Sequence, residues 1–169
     1  AGTLIVYLRG VEALRRSDAA AALPLLRAAL ATEPSLNAAR IDLALLLAAG
    51  DRAAARRELE EVLRRNASSG RAQLELALLE SETDAVSPQA LVERLASLNG
   101  KSGDLGRWEH SGLHLLAARV NRRAGRTEPA AQAVHAAVLA GPGDPRIAVR
   151  LAEEALRLGQ LSDAQRAAD

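Results

Sequence analysis

One small residue recurs at near-constant spacing inside an apolar helical pattern. Gly10, Ala44, Ala77, Ala118 and Ala152 are separated by 34, 33, 41 and 34 residues. Four of these patterns end in a stop: RRSD (15–18), AAGD (48–51), RAGR (123–126) and RLGQ (157–160). A second alanine follows each stop. Ala22, Ala55, Ala130 and Ala164 lie 12, 11, 12 and 12 residues after their partners. Two helices approach closely only where a small side chain admits the other, so each such pair describes a helical hairpin. One hairpin cannot bury its apolar stripe alone, and hairpins of this kind stack on one another.

The trailing helix of each hairpin carries its own pattern. Ala22, Leu26, Ala29 and Pro34 recur as Ala130, Val134, Ala137 and Pro142, and without the proline as Ala55, Leu59 and Val62. Steps of three and four place these residues on one helix stripe, which the proline then ends. Ala and Leu dominate an apolar share of 49%, with no Phe, Met or Cys, so the chain reads as all-α. The pattern predicts helices over 4–16, 18–32, 36–49, 52–65, 70–82, 88–98, 105–124, 128–140, 145–158 and 162–169. Asp18, Ser35 and Ser87, the last followed by Pro88, are placed to cap helix starts, and Asn99-Gly100 to stop one. The expected core includes Leu8, Ala22, Leu26, Leu43, Ala44, Leu59, Ala77, Ala118, Ala130 and Ala152.

This organisation resembles a tetratricopeptide-repeat array, whose unit is about 34 residues. The resemblance covers essentially the whole chain as one repeat domain, 1–169. Its units run about 3–35, 36–69, 70–103, 104–143 and 144–169, the last incomplete. It is specific in the first, second and fourth repeats and weaker in the third, which lacks the Gly/Asp stop. It implies an α-solenoid of stacked antiparallel helix pairs, with a superhelical groove lined by the leading helices. In that family the groove holds a peptide or a partner's helix, which implies a scaffold for protein–protein interaction and not an enzyme. The groove residues so implied are Tyr7, Val11, Ile41, Leu45, Leu74 and Leu78, then Leu115 with Arg119 and Arg122. Such a groove runs from apolar to basic and suits a partner segment with an apolar stretch and an acidic end. The rival reading is that Arg119 and Arg122 pair with carboxylates of neighbouring helices, such as Glu153. The Lys/Asn clamp of the chaperone-binding subclass is absent.

The Arg- and Ala-rich composition, with Lys101 the sole lysine, resembles bacterial repeat modules in two settings. One is an arm of envelope assembly or export proteins; the other is the sensor or regulatory part of a transcriptional regulator or receptor kinase. Periplasm and cytoplasm are both compatible with a cysteine-free chain, with a lean towards the periplasm. The chain begins at Ala1 without Met, so an excerpt of a longer protein is expected. Either the natural protein continues past the incomplete last repeat, or Leu151, Leu156 and Leu158 lie partly exposed there and support self-association.

Other chemistry is weakly supported. With 22 basic and 21 acidic residues and almost no aromatics, nucleic-acid binding is not expected. The longest apolar run, LALLLAA (43–49), is far short of the roughly 20 residues that span a bilayer. Gly100-Lys101-Ser102 spells the tail of a phosphate loop, but Leu95 stands where the first glycine belongs and a helix precedes it, so a connector is expected, with Asp104 capping the next helix. His110 and His114 share a helix face beside Glu109, yet a zinc site needs a third ligand, which His135 or a distant carboxylate would have to supply. No metal or cofactor is expected. Glu60-Glu61 and Glu153-Glu154 splay apart around a helix and read as solvated faces. The pairs Arg15-Arg16, Arg64-Arg65 and Arg122-Arg123 fall at helix C-termini, where they answer the macrodipole. Asn66-Ala67-Ser68 matches a glycosylation sequon, a match common by chance, and Tyr7 and Trp108 read as packing residues.

Overall fold

The computed structural model describes residues 2–83, 85–100, 107–141 and 145–168, and at 107–108 the backbone only. The expectations for Lys101, Ser102, Asp104 and Pro142, and for the packing of Trp108, lie outside the described residues. Among the described residues there are ten helices and no strand: α1 (Gly2–Arg15), α2 (Ala19–Thr32), α3 (Asn37–Leu47), α4 (Arg52–Arg65), α5 (Gly70–Ser81), α6 (Pro88–Asn99), α7 (Arg107–Arg123), α8 (Thr127–Ala140), α9 (Pro145–Arg157) and α10 (Leu161–Ala168). Every helix expected from the periodicity is present, displaced by at most two residues at either end.

Local chemistry explains most boundaries. Asp18 accepts from the Ala21 amide at 2.9 Å, Asp51 from Ala54 at 2.8 Å and Ser87 from Ala90 at 3.2 Å, each satisfying an otherwise orphaned N-terminal donor. Ser35 does not cap α3. The helix starts two residues later, preceded by Leu36, which packs against the core instead. Gly100 ends α6 with its amide on the Ala96 carbonyl, 3.1 Å, in right-handed geometry.

Three stops share one geometry. Ser17, Gly125 and Gly159 have φ of 58°, 72° and 75°, and the next amide closes back on the helix in each: Asp18 to Ala13, Arg126 to Asn121, Gln160 to Ala155. Glycine takes this left-handed conformation without strain, whereas a side chain costs about 1–2 kcal/mol. Ser17→Gly is therefore expected to stabilise the chain. The net gain is about 0.5–1 kcal/mol once glycine's extra freedom in the unfolded chain is subtracted, read as a higher urea midpoint at unchanged slope.

The chain divides into two compact units, Ala1–Leu76 and Ala77–Asp169, with the boundary inside α5. In the first, α1 packs on α2, α2 on α3 and α3 on α4. In the second, α6 packs on α7, α7 on α8 and α9, and α8 and α9 on each other and on α10. The small residues sit at the seams. A Cβ added to Gly10 would lie 3.2 Å from Leu26 Cδ2 and 3.4 Å from Leu25 Cβ, tighter than ordinary contact. Ala22, Ala44, Ala55, Ala77, Ala118 and Ala130 are buried, with Leu26, Leu43 and Leu59 beside them. Two core expectations need correcting. Leu8 is more than half exposed, because its side of α1 turns away from α2, and Ala152 is half-buried; Leu151, expected to be partly exposed, is fully buried, since it faces the core of the last hairpin, whereas Leu156 is exposed and Leu158 half-buried.

Candidate interaction face

The leading helices α1, α3, α5, α7 and α9 carry every residue assigned to the groove. Burial sorts them. Tyr7, Val11 and Leu45 are half-buried, as is Arg122, whereas Ile41, Leu74, Leu78, Leu115 and Arg119 are buried in the described chain.

In the first unit a polar chain links three successive leading helices. Tyr7 donates its hydroxyl to Asp42 Oδ2 at 3.0 Å, and Arg71 donates to Asp42 Oδ1 at 2.8 Å. Asp42 is nearly buried, so the two donors offset the desolvation of its charge. Val11 and Leu45 belong to the same leading helices as Tyr7 and Asp42.

In the second unit the two groove arginines are committed to acids of the same unit. Arg119 Nη1 donates to Glu82 at 2.9 Å and to the Leu78 carbonyl at 3.3 Å, while its Nε lies 3.7 Å from Glu154. Arg122 donates to Glu154 at 2.5 Å, and Arg157 reaches the same carboxylate at 3.2 Å. The acid is Glu154 and not Glu153. Glu154 is fully buried and Glu153 is about half exposed, so the pair is not a solvated face at both positions. Burial first, then Arg150, pulls the Arg119 guanidinium below the ordinary arginine value, against Glu82 and Glu154, which raise it. It remains a cation, as arginine does in proteins.

Sequence reasoning missed the task these arginines perform. The third repeat has no Gly/Asp stop, so the last carbonyls of α5 need other donors. Ser81 Oγ takes the Leu78 carbonyl at 2.7 Å together with Arg119, and in the loop between α5 and α6 Arg123 Nη2 takes the Val86 carbonyl at 2.8 Å. Arginines of α7 thus finish the third repeat where glycine finishes the fourth. The other arginine pairs also work through side chains. Arg64 and Arg65 both donate to Glu61, holding its carboxyl at about 2 instead of 4.5, and Arg65 reaches the Pro34 carbonyl. Arg16 donates to Glu12 at 3.0 Å.

Among the described residues no three His, Asp or Glu side chains cluster as metal ligands. His135 lies 3.0 Å from Asp163, joining α8 to α10. His114 is half-buried, and burial first, then His110, lowers its imidazole below the ordinary 6.5. The unfolded chain then takes up this proton before the folded one, so acidification favours unfolding. Stability is expected to fall as the pH drops through about 6.5, the ordinary imidazole value, and His114→Gln to flatten part of that slope in urea melts.

No protein-family model matches the chain, and no curated protein sequence does. Solved structures match it nearly end to end. A thermophilic TPR protein of Thermus thermophilus, TTC0263, has a TM-score of 0.69 at 20% identity, covering 98% of this chain and 87% of that one. MamA from Desulfovibrio magneticus RS-1, residue 41 to its end, has 0.60 at 15% identity, covering 98% and 90%. A further MamA crystal structure has 0.57 at 17% identity, covering 98% and 87%. The chain has the tetratricopeptide-repeat fold: all-α, in helical hairpins.

Proposed function

We propose that this chain is a protein-interaction module that holds a peptide or helix of a partner protein against its leading helices and performs no catalysis itself. One observation carries the reading. Val11 and Leu45 stay half-exposed on leading helices whose positions are set by the ordered Tyr7–Asp42–Arg71 chain. Apolar side chains on a preorganised surface bind without first ordering themselves, which lowers the entropic cost of association. The fold supports it, since stacked hairpins present long faces suited to extended partners. The contacts we assign are Tyr7, Val11 and Leu45 in the first unit. Of the two groove arginines in the second unit only Arg122 has exposed surface left for an acidic partner group, and it already serves Glu154. The setting that the arginine- and alanine-rich, cysteine-free composition favours is a docking arm of a larger bacterial protein in envelope assembly or export.

The test is selection of peptides from a random display library on the wild-type chain, followed by titration of the winners. Leu45→Asp and Val11→Asp are expected to weaken them at least about tenfold, the scale of one buried aliphatic contact, while Arg57→Glu on α4 leaves them unchanged. Winners that bind all four proteins equally would place the partner surface elsewhere.

A further inference from the structure

Two acids serve Arg119, and they are placed differently. Glu154 belongs to α9 and is fully buried, whereas Glu82 lies one residue past the end of α5, in the turn towards α6. Its carboxylate is held from two successive leading helices. Arg119 Nη1 of α7 donates to Glu82 Oε1 at 2.9 Å, and Arg150 Nη2 of α9 lies 3.6 Å from the same oxygen. Side-chain exposure rises from 1% for Arg119 to 20% for Arg150 and 23% for Glu82. The dry guanidinium is thus reached through a partly exposed acid. A residue on a turn can swing away without moving a helix, which Glu154 cannot do.

The chain's own acids serve Arg119 incompletely. Its buried Nε makes no hydrogen bond, Glu154 standing 3.7 Å away, and buried donors without an acceptor are uncommon. Arg150 also stands close enough to oppose the Arg119 charge, so an anion between the two guanidiniums favours both.

We infer that Arg119 and Arg150 form a carboxylate-binding site, filled by Glu82 in the free chain, which an acidic segment of a partner protein takes by displacing Glu82. Arginine binds a carboxylate through parallel donors, so the site gives orientation as well as charge. Glu82 acts as an internal competitor. The measured affinity is the intrinsic one scaled by the fraction of chains in which Glu82 has swung out. Single acids therefore bind weakly, and a segment carrying several is favoured. The inference builds on the peptide-holding reading, but its test involves neither Val11 nor Leu45, so either can fail alone.

The probe is fluorescein-labelled hexaglutamate, with hexaglutamine as its uncharged counterpart. Both are titrated at low salt by anisotropy, with protein up to about 1 mM, the weak end of specific binding. Glu82→Gln removes the competitor and keeps the shape of the side chain. It should bind hexaglutamate about fivefold tighter than the wild type or better, the scale of one partly exposed ion pair. Adding Arg150→Gln should return binding to the wild-type level or below. Glu60→Gln on α4 makes the same change of charge and should bind as the wild type does. Circular dichroism checks that all three variants fold. In the wild type itself, hexaglutamate should shift the amide NMR resonances of Glu82 and Thr83, and hexaglutamine should not. Four results would each overturn the inference: Glu82→Gln binding no tighter than the wild type, a gain matched by Glu60→Gln, a gain that survives loss of Arg150, or hexaglutamine binding equally well. Unmoved Glu82 and Thr83 resonances would do the same.

Discussion

Replacing Glu154 with alanine is expected to cost about 3–5 kcal/mol, because it leaves the guanidinium of Arg119 inside the second unit without one of its two acids. Arg119 is 1% exposed and Glu154 fully buried, so water cannot substitute for either. Arg119→Ala should cost a similar amount and also remove one of the two side-chain donors, the other being Ser81, from the Leu78 carbonyl near the end of α5. The double replacement Arg119→Met with Glu154→Met should lose less than either alanine variant, since two apolar side chains of similar reach fill the space without a charge to compensate. Urea melts of the wild type, the single variants and the double variant check this. If the double variant loses as much as the two singles combined, the pair is not coupled and its role in joining α7 to α9 is wrong.

Ala44→Leu and Ala118→Leu are each expected to destabilise by roughly 1–3 kcal/mol, through overpacking of a seam between two helices. Ala44 and Ala118 are buried to within 1% where α3 packs on α4 and α7 on α8. The first hairpin shows how little room such a seam leaves, for even a methyl group at Gly10 would press on Leu25 and Leu26. Ala152→Leu, at a half-buried place in the same register, should cost less. Melting temperatures unchanged at both Ala44 and Ala118 would overturn the register.

That register was legible because its signals are local. A small residue, a stop and an N-cap act within one or two helical turns, and Asp18 and Ser87 cap the helices expected of them, although Ser35 does not. The side of each trailing helix that packs was legible too, since Ala22, Leu26 and Ala29, or Ala130, Val134 and Ala137, form one stripe and are all buried. Charged residues on the leading helices were not. Glu153 and Glu154 are neighbours in sequence, but a helix turns about 100° per residue, so one faces water and the other the α7 arginines. Nothing within a turn of either distinguishes them.

The sequence by itself determined the class, the hairpins and their spacing, because helical periodicity and turn chemistry are written over stretches of a few residues. Only the tertiary structure decided which acids and bases go inside. Tyr7 finds Asp42 at a separation of 35 residues, and Arg119 finds Glu82 at 37. Partners that far apart are chosen by how one hairpin seats on another. For the same reason Arg119 serves as the missing stop of the third repeat and Leu8 lies outside. In each case the helix was set locally, and the side of it that is buried was set by the helix packed against it.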